Sequence, residues 1–166
     1  MNMRRLCPLL LAFTGLASSA IAAENGTMSA IKEAARAQAN AKMAEKFNLP
    51  TAAPAGAKVY IISPAKDATV TSPVTVVFGL SGLGVAPAGT QVANTGHHHL
   101  LIDDPTVDLT VPLPTSEQVV HFGAGQTEAS VKLKPGKHTL QLVFGDWKHQ
   151  AFNPTLASEK ITITVK

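Results

Sequence analysis

The sequence predicts an all-β protein, an immunoglobulin-like β-sandwich of six or seven strands, and three observations carry this prediction. From Lys58 onward, apolar and polar residues alternate in short runs of strand length. Gly, Pro, Ser and Asp, the residues that favour turns, separate these runs. Residues 58–166 also form a segment of the usual length for one sandwich domain, long enough to bury a core without disulfide bonds.

The first element, residues 1–22, has the features of a secretory signal peptide. Arg4 and Arg5 supply a positive start, and residues 6–17 form an apolar core that is too short to remain as a membrane span. The small residues of Ala20-Ile21-Ala22 predict cleavage after Ala22. We therefore expect a periplasmic or secreted protein, without a membrane span once the signal is removed.

Cleavage would change the charge and the thiol content of the chain. The full sequence has 14 Lys+Arg and 11 Asp+Glu, and loss of Arg4 and Arg5 leaves 12 basic residues against 11 acidic ones. This near-neutral balance gives no indication of nucleic-acid binding, which would need a basic stripe on the surface. The single cysteine, Cys7, leaves with the signal, so cysteine nucleophiles, iron–sulfur clusters and thiolate zinc sites are excluded. A metal site would have to use imidazole, carboxylate or thioether ligands.

Residues 23–57 predict a helical extension followed by a Pro- and Ala-rich linker. The stretch from Ser29 to Phe47 is rich in Ala, Lys, Glu and Gln, which favour helix, and Ser29 is a suitable N-cap. Residues 48–57 contain Pro50, Pro54 and Gly56 and predict irregular structure.

The sandwich segment begins with a strand at Val59 and Ile61. Further runs with strand-like patterns predict strands at 73–80, 97–103, 119–122, 127–133, 138–144 and 158–166. The Gly-rich stretch 79–96 and the stretch 104–115, which carries three prolines, predict loops or edge segments.

The strongest chemical feature is Gly96-His97-His98-His99-Leu100-Leu101-Ile102-Asp103, three adjacent histidines at the start of a strand. Alternate side chains share a face of a strand. If Leu100 and Ile102 face the core, then His98 does too, and His97 and His99 share the other face, roughly 7 Å apart along the strand. Two imidazoles at this separation can converge on one ion, and neutral imidazole suits copper and zinc.

A stable site needs three or four ligands, so two histidines are not enough. The candidates for completing it stand in turns: His121, Glu128, Asp146 and His149. We expect His97, His99 and His121 to bind, with His149 or Glu128 completing the site. His138 leads a strand and shares a face with Leu140 and Leu142, which indicates a packing or hydrogen-bonding role.

Other function classes leave weaker signals. The sequence has no P-loop, G-x-S-x-G, H-E-x-x-H or dinucleotide motif, so we expect a non-enzymatic protein. The main alternative to a copper or zinc carrier or buffer is an envelope interaction or structural module, whose histidines form a hydrogen-bond network and whose partner is an envelope protein. A third possibility is an enzyme that keeps an open coordination position on the same cluster.

The stretches GHHHLLID (96–103), HFGAGQTE (121–128) and PGKHTLQLVFGDWKH (135–149), followed by SEKITITV (158–165), resemble a family of exported bacterial domains of unknown function. The resemblance implies no activity. It implies that the following are signature positions of the family: His97, His98, His99, His121, Gly123, Gly125, Gln126, Thr127, Glu128, His138, Asp146 and His149. Residues 59–80 are also similar to the opening strands of bacterial immunoglobulin-like domains, which concerns the fold alone.

Overall fold

The computed structural model describes residues 17–47 and 49–166. Most of the predicted signal peptide, including Arg4, Arg5 and Cys7, lies outside the described residues. The chain divides into two units, Met1–Met43 and Ala44–Lys166.

The helix α1 spans Ala17–Lys46 and is longer than the sequence indicated. Ser29 lies within the helix instead of capping it, because the Ala- and Ser-rich stretch before it also has the conformation of a helix. The side chains described in α1 are exposed, among them Met28, Ile31 and Met43. In the described ranges, no helix combines the length and the apolar character needed to cross a bilayer.

The second unit is an all-β sandwich-like domain, which confirms the predicted fold class. Nine strands occur in the described residues: β1 (Lys58–Ser63), β2 (Thr69–Val70), β3 (Val74–Ser81), β4 (Gly84–Val85), β5 (Thr95–Ile102), β6 (Val119–Phe122), β7 (Glu128–Val131), β8 (Gly136–Gly145) and β9 (Ile161–Val165). The structure has more strands than the six or seven expected because it includes β2 and β4. These two strands have two residues each and are too short to show periodicity.

The strands form two sheets. The smaller sheet has the order β1-β3-β7, and the larger has the order β2-β9-β8-β5-β4, with β6 also paired to β5. Strand β5 is thus central: β8 pairs with one edge, while β4 and β6 pair with successive parts of the other. This position gives the histidine-bearing strand neighbours on both sides.

The main core fills the space between the two sheets. Alternate residues of β3 and of the second half of β8 point into it, in agreement with the alternation in the sequence. Its buried members include Val74, Val76 and Phe78 from the smaller sheet, and Leu100, Leu140, Leu142, Phe144 and Ile163 from the larger.

A second apolar cluster lies on the opposite face of the larger sheet. It contains Leu101, Val119 and Val143 from three adjacent strands, covered by Leu113 and Ala151 from loops. Loops therefore cover the outer face of the larger sheet beside the histidines of β5.

Candidate metal centre

The three consecutive histidines of β5 divide between the two faces of the larger sheet, as predicted. His98 lies on the core side, where its ring contacts Phe78 at 5.0 Å and Phe144 at 4.9 Å between centroids. His97 and His99 lie on the loop-covered side, with ring centroids 4.9 Å apart. The two rings are therefore closer to each other than the roughly 7 Å that separates alternate residues along an extended strand.

Two further histidines join His97 and His99 to form what we call the four-histidine cluster. His121 on β6 is paired directly with His99 across the strands, and its ring lies 5.0 Å from that of His97. His149 comes from the loop after β8, with its ring 4.9 Å from that of His97 and 4.7 Å from that of His121. Four imidazoles from β5, β6 and one loop thus meet at one place.

Three members of the cluster have the more compact arrangement. One ring nitrogen from each of His97, His99 and His121 lies within 4.8 Å of the other two. The ring centroid of His149 is farther from His99, at 6.2 Å. Nitrogen ligands bound to one tetrahedral zinc ion at 2.0–2.1 Å are about 3.3–3.4 Å apart. Side-chain rotations that bring the nitrogens closer by up to about 1.5 Å would allow the three rings to share an ion.

Burial favours the neutral form of three imidazoles of the cluster, those of His97, His99 and His121. His97 and His99 are fully buried, whereas His121 and His149 are partly exposed. Burial, with smaller contributions from the neighbouring histidines, lowers the pKa of His97 to about 4 and that of His99 to about 3. Burial and His149 also lower the pKa of His121. Each neutral ring of His97, His99 and His121 has one nitrogen with a free lone pair, and this is the form in which imidazole binds metals.

The ring nitrogens have few partners within the protein. Among the described residues, neither nitrogen of His97 or His99 makes a hydrogen bond, and the buried Nε2 of His121 makes none. Buried polar atoms normally have partners, so a group of unpartnered nitrogens at one place requires an explanation. A metal ion would satisfy one nitrogen of each ring. In metal-bound histidines, a carboxylate or carbonyl commonly accepts a hydrogen bond from the second ring nitrogen. Within the described part of the chain, His97 and His99 have no such acceptor.

A tightly bonded loop presents His149. Its backbone is in the left-handed region, with a φ of 67°, which is unfavourable for a residue other than glycine. The buried carboxylate of Asp146 closes the loop by accepting hydrogen bonds from the backbone N–H groups of Lys148 and Gln150, at 2.8 and 3.0 Å. Asp146, a candidate ligand on sequence grounds, therefore contributes to the site by shaping the loop.

Two glycines make room for the imidazoles. A Cβ atom at Gly123 would lie 2.3 Å from Cε1 of His121, and a Cβ atom at Gly145 would lie 2.9 Å from Cε1 of His99. Gly123 lies in the turn after β6 and Gly145 is the last residue of β8, and neither has a positive φ. Their role in the structure is to allow the close approach of a ring, which the sequence could not indicate because it depends on pairing between strands.

Glu128 is not part of the cluster. It is exposed at the start of β7, where it pairs with Val77 of β3 in the smaller sheet. Of the two residues considered for the fourth position, the structure brings only His149 to the other histidines.

The remaining two histidines have other environments. His138 has the expected hydrogen-bonding role, with Nδ1 2.9 Å from a carboxylate oxygen of Asp103 and Nε2 2.8 Å from the carbonyl oxygen of Lys134. Neither ring nitrogen of the buried His98 makes a hydrogen bond among the described residues. Burial lowers the pKa of His98 to about 4; the backbone of Gln126 opposes this shift, although its geometry relative to the ring is too poor for a hydrogen bond.

Comparison with known families gives a match that includes the cluster. A family model described as a domain of unknown function (DUF4399) matches residues 76–166, more than half of the chain and the whole of the four-histidine cluster. Neither the curated proteins nor the solved structures gave a significant match. The match agrees with the expected membership of a family of unknown function, and the chain belongs to the family described as domain of unknown function DUF4399.

Proposed function

We propose that this protein binds a transition metal ion, copper or zinc, through His97, His99 and His121, with His149 as the fourth ligand. The observation that carries the proposal is the convergence of ring nitrogens that are neutral, buried and without protein hydrogen-bond partners among the described residues. Such a set of imidazoles fits borderline divalent ions better than Mg²⁺ or Ca²⁺, which prefer oxygen ligands.

The half-buried side of the cluster gives the ion a route of entry. His97 and His99 are fully buried, while His121 and His149 are only partly so. An ion would therefore meet His121 and His149 first and then reach the two histidines of β5. This arrangement suits a carrier or buffer, which must load and release its ion, and we propose that it acts in the periplasm or after secretion, with an envelope protein as the partner in exchange.

The main alternative is a structural or interaction module with a network of hydrogen-bonded histidines. A network of that kind would pair each ring nitrogen with a donor or an acceptor. Among the described residues, five nitrogens of His97, His99 and His121 have no partner, and this favours metal binding over the alternative.

The test is a titration of the mature protein, prepared without a purification tag, with Cu(II), Cu(I) and Zn(II) in competition with chelators of known affinity. The His97→Ala/His99→Ala variant is measured beside it, and His138→Gln serves as a control histidine remote from the cluster. We expect one ion per chain with submicromolar affinity, lost in the double variant and kept in the control. Binding no tighter than that of an exposed histidine pair would contradict the proposal.

A further inference from the structure

The segment that the sequence marks as a linker is bonded to the loop that carries His149. The hydroxyl of Thr51 donates a hydrogen bond of 2.6 Å to Oδ2 of Asp146. The backbone of Asn153 donates to the carbonyl of Thr51 at 2.8 Å, and the backbone of Ala53 donates to the carbonyl of Asn153 at 2.9 Å. Residues 51–53, which we call the latch, thus lie alongside the loop that follows β8.

The carboxylate of Asp146 connects the latch to His149. Its Oδ1 accepts from the backbone of Lys148 and Gln150, on either side of His149, and its Oδ2 accepts from Thr51. The backbone N–H of His149 also donates to the carbonyl of Asp146 at 2.9 Å. Movement of this carboxylate would therefore move the backbone that directs the ring of His149.

A second contact holds the loop from the other side. The backbone of Leu113 donates to the carbonyl of His149 at 2.7 Å. The side-chain amide of Gln150 donates to the carbonyl of Thr110 at 3.0 Å. Because the left-handed backbone of His149 is unfavourable by itself, these contacts have to maintain it.

We propose that Thr51 and Asp146 are positioning residues for the fourth ligand, so that the latch sets the affinity of the cluster for its ion by fixing the loop of His149. This inference rests on the proposed metal-binding function. It assigns a role in the site to a segment that lies before the first strand and, at Thr51, 95 residues from Asp146 in the chain.

The experiment compares the mature wild-type protein with Thr51→Val, which removes the hydroxyl with little change of shape, and with Thr51→Ser, which restores it. Thr115→Val makes the same chemical change at an exposed loop position and is the matched control. Each protein is titrated with Cu(II), and the nitrogen couplings of the bound ion are measured by electron paramagnetic resonance. The same variants are also made in the His149→Ala background.

We expect Thr51→Val to weaken Cu(II) binding by about 10- to 100-fold, the usual effect of losing a group that orients a metal ligand. Its spectrum should shift toward that of His149→Ala, while Thr51→Ser and Thr115→Val should resemble the wild type. In the His149→Ala background, Thr51→Val should cause little further loss, because the ligand that Thr51 positions is already absent. An equal loss in both backgrounds, or no loss in either, would overturn the role of the latch.

A measurement without metal separates this inference from the proposed function. Hydrogen exchange at the amides of Lys148 and Gln150 should become faster in Thr51→Val than in Thr115→Val, because the carboxylate that accepts from them is less well held. Unchanged exchange would overturn the latch even if the wild type binds copper. Failure of the wild type to bind any ion would overturn the proposed function, and with it the role of the latch in affinity.

Discussion

His99 on β5 and His121 on β6 stand directly opposite each other in the antiparallel register, with ring centroids 5.1 Å apart. This pairing brings together two histidines that are separated by a long loop in the sequence. His97 then joins from the same strand as His99, and His149 joins from the loop after β8. The site therefore depends on the register between β5 and its neighbours.

The first prediction concerns this cross-strand pair. Either His99→Ala or His121→Ala should weaken binding of Cu(II) or Zn(II) by more than about 100-fold, because loss of a ligand should exceed the 10- to 100-fold effect of losing a group that only orients one. Competitive titration measures the change, with His138→Gln as the control. Wild-type affinity in His121→Ala would show that this ring is not a ligand.

The second prediction concerns Gly123, over which the ring of His121 lies. Gly123→Ala should displace that ring, because the new methyl group would be 2.3 Å from its Cε1 atom. We expect metal affinity to fall by about 10-fold, near the lower end of the range for displaced ligands. The matched control is Gly84→Ala, where the methyl group would make an ordinary contact of 3.4 Å with Thr95. Equal affinities in the two variants would contradict this account of Gly123.

The third prediction concerns the backbone of His149. In the metal-free protein, His149→Gly should be more stable than His149→Ala by about 0.5–1 kcal/mol. Relief of the left-handed conformation is worth about 1–2 kcal/mol and exceeds the entropic cost of glycine, about 0.5–1 kcal/mol. Chemical denaturation measures the difference, and both variants should lose metal affinity to the same extent. A less stable glycine variant would contradict the assignment of strain to this position.

The fourth prediction separates His98 from the four-histidine cluster. His98 is buried among Phe78, Phe122 and Phe144 on the core side, without a hydrogen-bond partner among the described residues. His98→Leu should stabilise the metal-free protein by about 1–3 kcal/mol, because it removes an unsatisfied buried polar group. Metal affinity should remain at the wild-type value, since the ring faces away from the cluster. Loss of metal binding in a folded His98→Leu variant would show that His98 contributes to the site.

The fifth prediction is a pH dependence at His138. Burial lowers the pKa of His138, but hydrogen bonds to the carbonyl of Lys134 and the carboxylate of Asp103 outweigh it, so the net shift is upward from 6.5. The folded state then holds the proton more tightly than the unfolded state. The resulting stability is fully present below pH 6.5 and is lost as the pH rises through the higher pKa of the folded state.

The measurement is the difference in free energy of unfolding between the wild type and His138→Gln at pH 6 and at pH 9. We expect the wild type to have a larger advantage at pH 6, by less than about 1 kcal/mol because Asp103 is partly exposed and solvent screens the pair. A larger advantage at pH 9 would reverse the sign and contradict the interpretation.

Much of the fold follows from local sequence patterns. The alternation of Val74, Val76 and Phe78 agrees with the face of β3 that is buried. Leu100 and Ile102 of β5 also lie in the core, which was the condition for placing His98 on that side. Periodicity is a property of neighbouring residues, so it can be read without knowing which strands pair. The strands β2 and β4 were missed because two residues have no period.

The site was only partly predictable, because its assembly depends on long-range pairing. The division of His97 and His99 from His98 follows from alternation along one strand. The choice between His149 and Glu128 could not be predicted from alternation. It requires knowing that β7, which carries Glu128, pairs with β3 in the smaller sheet. The contact between Thr51 and Asp146 had no signal in the sequence, because it joins a linker to a distant loop.

The central claim is that the four-histidine cluster holds a metal ion, and anomalous diffraction from crystals grown with Cu(II) or Zn(II) tests it most directly. Data collected on both sides of the metal absorption edge locate the ion without assumptions about its ligands. We expect a single strong peak within about 2.0–2.1 Å of one ring nitrogen each of His97, His99 and His121, with His149 turned toward it. Well-ordered crystals with no peak at the cluster, or with peaks only at exposed side chains, would contradict the account.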